Sequence, residues 1–122
     1  MSYGIELQDP VTKQTLELDA PHDMRGGTYC LGGTTEAWIN ITYNYGRFYR
    51  EHHPEGIRSI YGMTGAESIP HLQGMIETIK KNHPNCETSP DYWEPTAGNA
   101  LKPLHQLIAL ARLRPDGVWD GD

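Results

Sequence analysis

Long apolar runs are the first absence. No stretch of this 122-residue sequence approaches the roughly 18 apolar residues of a membrane span. The N-terminus has neither the basic start nor the apolar stretch of a signal peptide, so the expectation is a cytoplasmic protein with no membrane contact. Cysteine is scarce. Cys30 and Cys86 stand far apart with no CxxC partner, which excludes a disulfide-stapled scaffold and favours two free thiols in a reducing compartment over a single bridge. Basic residues are few as well, 10 Lys and Arg against 16 Asp and Glu, for a formal net charge of −6. That balance argues against direct nucleic-acid binding, which needs a basic face. It leaves a basic protein partner, or a small anionic ligand held by locally placed arginines.

Signatures of chemistry are missing too. The six histidines show no HExxH, HxH or Cys/His spacing, there is no GxSxG elbow, and neither cysteine has a catalytic neighbourhood. No catalytic residue, metal or cofactor is expected, and a small hydrolase or phosphoesterase is the least supported class. The glycine pairs of "GGTYCLGGTT" suggest a phosphate loop, but such a loop needs a lysine and a following helix. The sequence supplies neither, so the pairs read as hairpin chemistry.

What the chain does have is a change of period. Tyr3, Ile5 and Leu7 alternate with polar residues, and Leu16 and Leu18 repeat the pattern across an Asp-Pro turn. This predicts an N-terminal hairpin, followed by a loop over "DAPHDMRGG" and a short strand at "TYCL". Beyond the second glycine pair, Ala37, Ile39, Ile41, Tyr43 and Tyr45 alternate with Glu36, Trp38, Asn40, Thr42 and Asn44, the pattern of a strand that gives way near Asn44 to a short helix through "GRFYREH". Ile69, Leu72, Met75, Ile76 and Ile79 then repeat at three and four, predicting a helix capped by Ser68 with Pro70 in its first turn. A polar connection follows, pinned by Tyr92 and Trp93. A second helix starts between Thr96 and Asn99 and turns Leu101, Leu104, Leu107, Ile108 and Ala111 inward. Residues 115–122 read as an extended acidic tail, or as Trp119 packed against the body. The fold class is a single α+β domain over 1–122: a small antiparallel sheet, made of the N-terminal hairpin and a second hairpin, packed against two main C-terminal helices.

Two features suggest binding. The row Trp38, Asn40, Thr42 and Asn44 offers a stacking ring beside amide side chains, and the alternative is an ordinary solvated sheet face. After it, Arg47, Arg50 and Arg58 lie among tyrosines, ahead of a hydroxyl-bearing helix start at Thr64. This arrangement suits an anion, and the alternative is surface ion pairing. Candidate contacts for a small anionic, nucleotide-like ligand are Trp38, Asn40, Asn44, Arg47, Arg58, Tyr61 and Thr64. Aromatics would stack a base, amides would read its edge, and arginines would meet phosphate. The second functional class is an acidic inhibitor that docks a basic host protein through "DGVWDGD" or the polar strand face. An open sheet edge with exposed aromatics also suits a homo-oligomer.

Three segments, "GGTTEAWINITYNY", "GIRSIYGMTGAESIP" and "RPDGVWDGD", resemble a family of small proteins carried by bacteriophages and mobile elements of Gram-positive bacteria. The resemblance implies a protein of the host-cell cytoplasm and a counter-defence role, binding a host protein or sequestering a nucleotide signal. It assigns no site residue.

Overall fold

A computed structural model describes residues 1–23 and 33–122. In chain order the elements are β1 (Ser2–Gln8), β2 (Glu17–His22), β3 (Thr34–Glu36), β4 (Trp38–Thr42), α1 (Gly46–Tyr49), α2 (Gly65–Asn82), α3 (Ala97–Leu113) and β5 (Val118–Gly121), with 3-10 turns at Tyr43–Tyr45 and Gly56–Ile60. The class is α+β, as the sequence predicts. β1, with its period-two pattern, lies at the centre of a three-stranded antiparallel sheet of order β4-β1-β5. Ile5 faces Ile39, and Leu7 faces Trp119. These residues form one buried core with Leu72, Met75 and Ile79 of α2 and with Leu104, Leu107 and Ala111 of α3.

Strand pairing departs from expectation. The Asp-Pro turn does form: the Asp9 carboxylate accepts from the amides of Val11 and Thr12, and the Asp9 amide donates to Gln14. Yet the two arms meet only at one bridge, Gln8 with Thr15, because β4 and β5 occupy the two edges of β1. The chain leaves at Leu16, and β2 pairs with β3 in a separate two-stranded sheet. Asp19 to His22, expected as loop, belong to β2. Gly33 has φ +80, a backbone only glycine adopts freely. The strand expected at "TYCL" and the state of Cys30 lie outside the described residues.

The predicted tail is a strand. Val118–Gly121 pairs with β1 on one side. On the other, the Trp119 amide donates to Met63 and its carbonyl accepts from Gly62. Trp119 is buried, and its indole donates to Ser68 Oγ at 2.7 Å. That contact explains the misplaced helix start. Ser68 is a buried partner for the indole, not a cap. Thr64 caps α2 in a capping box with Glu67, so Pro70 falls inside the helix. It is tolerated there because it and Ala66, whose carbonyl loses its partner, both lie on the solvent side.

α3 begins at Ala97 with Thr96 as its N-cap, and its whole first turn is buried. The connection before it is pinned by Asn99 and by its own Trp93 and Pro95 carbonyls, which accept from Asn44 and Arg47, while the Tyr92 and Trp93 rings stay half exposed. The Asn99 carboxamide accepts from the Ser89 amide at 3.1 Å and donates to the Asp91 carbonyl at 3.1 Å.

Candidate functional site

Alternation along the sheet puts one row of side chains into the core and leaves the other outside. No helix or strand among the described residues packs on the outer row. It comprises Ser2, Gly4, Glu6 and Gln8 from β1, Trp38, Asn40 and Thr42 from β4, and Val118, Asp120 and Asp122 along β5 and its end. Register places Glu6 between Trp38 on one neighbour and Asp120 on the other. Gly4, beside Asn40, leaves a gap in the row, where its amide donates to the Asp122 carboxylate at 2.7 Å. A Cβ there would lie 3.5 Å from the Trp38 indole nitrogen. The result is an open cleft of about 320 Å³ lined by Glu6, Gln8, Trp38, Asp120 and Asp122 around Gly4. Burial, reinforced by the charges of Asp120 and Glu36, pushes the Glu6 carboxyl above its ordinary range. Among the described residues no lysine or arginine lines this cleft.

Further along the same face a second cleft, of about 400 Å³, separates Ser2, Asn40, Thr42 and Asn44 from Tyr92 and Trp93. These two rings meet edge to face at 5.4 Å and are 47% and 50% exposed. Asn44 stands at the 3-10 turn that ends β4, and its Nδ2 donates to the Trp93 carbonyl at 2.7 Å. Asn40 Nδ2 donates to Ser2 Oγ at 2.8 Å and to the Tyr3 carbonyl at 3.2 Å. Thr42 Oγ1 accepts from the Asn44 amide.

The remaining predicted contacts lie elsewhere. Arg47 lies over the Phe48 ring, donates to the Pro95 carbonyl at 2.9 Å, and opens onto a separate cleft of about 380 Å³ with His83, Cys86 and Thr96. Arg58 stacks over Tyr3 and donates to the Asp122 main-chain oxygen at 2.8 Å, which also accepts from the Tyr61 hydroxyl at 3.1 Å. Burial pushes that phenol up to about 12. These two residues clamp the end of β5. Thr64 is committed to its capping box, and the amides of Gly65, Ala66 and Glu67 donate to Gly117, Pro115 and Thr64 Oγ1. The start of α2 therefore has its amides engaged within the chain. Of the seven predicted residues, Trp38, Asn40 and Asn44 share the open face, Arg58 and Tyr61 hold its edge, Thr64 is bridged to Val118 beside β5 with its hydroxyl spent on the cap, and Arg47 opens onto a separate cleft. Glu6, Tyr92 and Trp93 were not among the candidates, and Asp120 was named only within the docking segment "DGVWDGD". The alternation of Val118, Asp120 and Asp122 around Trp119 is the signal that identifies β5 and its acidic side.

A second polar cluster joins His52, His53 and His71, with ring centroids 5.4 and 6.0 Å from His71. No group of three or more His, Cys, Asp or Glu among the described residues is arranged to hold a metal. Ser59 Oγ lies 2.7 Å from His71 Nε2, and His52 Nδ1 lies 2.8 Å from Thr78 Oγ1. Burial first, then the neighbouring His52 and His53, push His71 below its ordinary value. The fold thus prefers neutral His71, and the unfolded chain binds the extra proton first as pH falls. This contribution to stability is complete above about 6.5 and is lost as pH drops from there through the lower folded value. Melting temperature measured from pH 8 to 5 should fall more steeply in the wild type than in His71→Gln. Parallel curves would remove His71 from the acid response.

Comparison with protein-family models, with curated proteins and with solved structures finds no match for this chain.

Proposed function

We propose that this chain is a non-catalytic binding protein that docks a basic partner protein on the outer face of β4-β1-β5. The observation that carries this is the placement of Glu6 between Trp38 and Asp120 in a cleft whose lining, among the described residues, includes no lysine or arginine. Burial first, and then the nearby charges of Asp120 and Glu36, hold the Glu6 carboxyl above its ordinary value, although the Thr15 hydroxyl donates to it. A cationic side chain arriving on this face offsets those charges, and Trp38 adds contact area of the kind that anchors protein interfaces. The two docking segments considered from sequence, the polar strand face and "DGVWDGD", merge here into one surface. No helix among the described residues is long and apolar enough to cross a membrane. The resemblance to phage-borne proteins supplies the setting: a basic host protein of defence or nucleic-acid handling, held inactive by an acidic inhibitor.

The test is the binding of a lysine-rich dodecapeptide at low and high salt to wild type, to Glu6→Gln/Asp120→Asn and to Glu77→Gln/Glu87→Gln. Both double variants remove two negative charges, the second pair from exposed positions outside the outer row. The first should weaken binding about tenfold, as expected for two lost charge contacts, and the second at most twofold. Equal losses would mean that net charge alone attracts the peptide. A nucleotide-like ligand is the second reading, favoured by Arg47 at its own cleft. A melting shift with nucleotides that Arg47→Ala abolishes would move the function there.

A further inference from the structure

We infer that the cleft between Asn40, Asn44, Tyr92 and Trp93 receives an arginine side chain of the basic partner; this rests on the docking reading above. Three observations converge. First, Tyr92 and Trp93 stand half exposed and edge to face on one wall, tied to the sheet through Asn44 and the Trp93 carbonyl. Two large rings left in water at a fixed position offer π faces to a flat, weakly hydrated cation.

Second, the opposite wall offers acceptors. Asn40 commits both N–H groups of Nδ2 within the chain, so Oδ1 is what its carboxamide has left to offer, and Asn44 spends one N–H on the Trp93 carbonyl and keeps its Oδ1 as well. The two Oδ1 atoms suit a ligand that presents several donors in one plane, which describes a guanidinium. An ammonium also donates, but as a compact, strongly hydrated point it gains less from the rings.

Third, the cleft continues into the acidic part of the face. Asn40 is the register partner of Gly4, which lines the cleft of Glu6 and Asp120. A nucleotide held on this face would place phosphate charge beside those carboxylates, and the described lining, which runs from Met1 and Ser2 to Trp93, includes no lysine or arginine side chain to receive it. A basic peptide brings charges of the sign the neighbourhood wants. An arginine in the aromatic cleft with further cations over Glu6 and Asp120 uses the whole face at once.

The experiment compares two peptides of identical length and spacing, one with arginine and one with lysine at every basic position. Binding is read by calorimetry on wild type, Trp93→Ala and Tyr92→Ala, with melting temperatures confirming that these exposed positions leave the fold intact. The wild type should favour the arginine peptide by about tenfold, the scale of a partly desolvated cation–π contact. Trp93→Ala should reduce that preference to less than twofold while changing lysine-peptide affinity little. Equal binding of both peptides by the wild type, or a preference that survives both substitutions, overturns the arginine seat and leaves the docking face standing. Binding of neither peptide, or equal losses in the two charge-neutralised double variants, overturns the docking face and the seat with it.

Discussion

Trp119→Ala is expected to destabilise the protein by about 3–5 kcal/mol, the range for removing a large buried aromatic side chain. A domain of this size is stable by about 5–15 kcal/mol in total, so most molecules of a marginal variant would lose cooperative folding. The reason lies in how many separate contacts one residue closes. Its side chain is 1% exposed, faces Leu7 across the sheet, and satisfies its indole N–H on Ser68. Its own amide and carbonyl tie β5 to Met63 and Gly62. Alanine leaves a cavity between the sheet and α2, and Ser68 Oγ loses the donor it faces. Trp119→Phe separates the two losses, since it retains most of the apolar volume without the N–H. Urea denaturation followed by circular dichroism should rank wild type, Trp119→Phe and Trp119→Ala in falling midpoint. The alanine variant should melt lower by on the order of 15 °C. A shift of only a few degrees would mean that β5 does not close the core.

Gly98→Ala should destabilise by about 1–3 kcal/mol, the cost of overpacking a close contact. The sign is the informative part. Inside a helix, glycine to alanine ordinarily stabilises by about 1 kcal/mol, and Gly98 is the second residue of α3. A Cβ at this position would stand 2.5 Å from the carbonyl oxygens of both Cys86 and Glu87 and would also run into Thr88. Main-chain oxygens cannot swing aside as a flexible side chain can, and the Gly98 amide is itself bound to Glu87 at 2.7 Å. The connecting segment over the start of α3 must therefore lift, straining the Asn99 contacts to Ser89 and Asp91. Because that segment leads to Tyr92 and Trp93, the variant should also lose part of its preference for arginine peptides. A stabilised Gly98→Ala would show that this segment does not rest on the helix.

How much of this was legible depended on the range of each interaction. The inward Ile39 and Ile41 and the inward stripe of α3 are set by local period, which a sequence displays directly. Partnership in a sheet is not local. Nothing in Tyr3, Ile5 and Leu7 announces that their neighbours come from residues near 40 and near 120 instead of from the adjacent arm. Ser68 misled because a hydroxyl ahead of an apolar stripe suits a cap as well as it suits a buried indole. The arginines misled for a similar reason. A guanidinium recognises any oxygen of the right geometry, and Arg47 and Arg58 find carbonyls of the chain itself, at Pro95 and Asp122. Trp38, Asn40 and Asn44 were placed correctly on one face by alternation, while Tyr92 and Trp93 came to that face through a loop whose path no periodicity encodes.

The contact between Gly4 and Asp122 joins residues 118 positions apart, and its consequence concerns time. During synthesis β1 emerges early, but its second edge stays empty until the ribosome has released the segment that follows α3. Closing so long a loop is slow compared with forming a helix. Until that closure, Leu7 and Ser68 lack Trp119, and the carboxylate pair of Glu6 and Asp120 has not been assembled. A nascent or half-folded chain thus presents neither the finished core nor the acidic surface, so the proposed docking face arrives together with the native state.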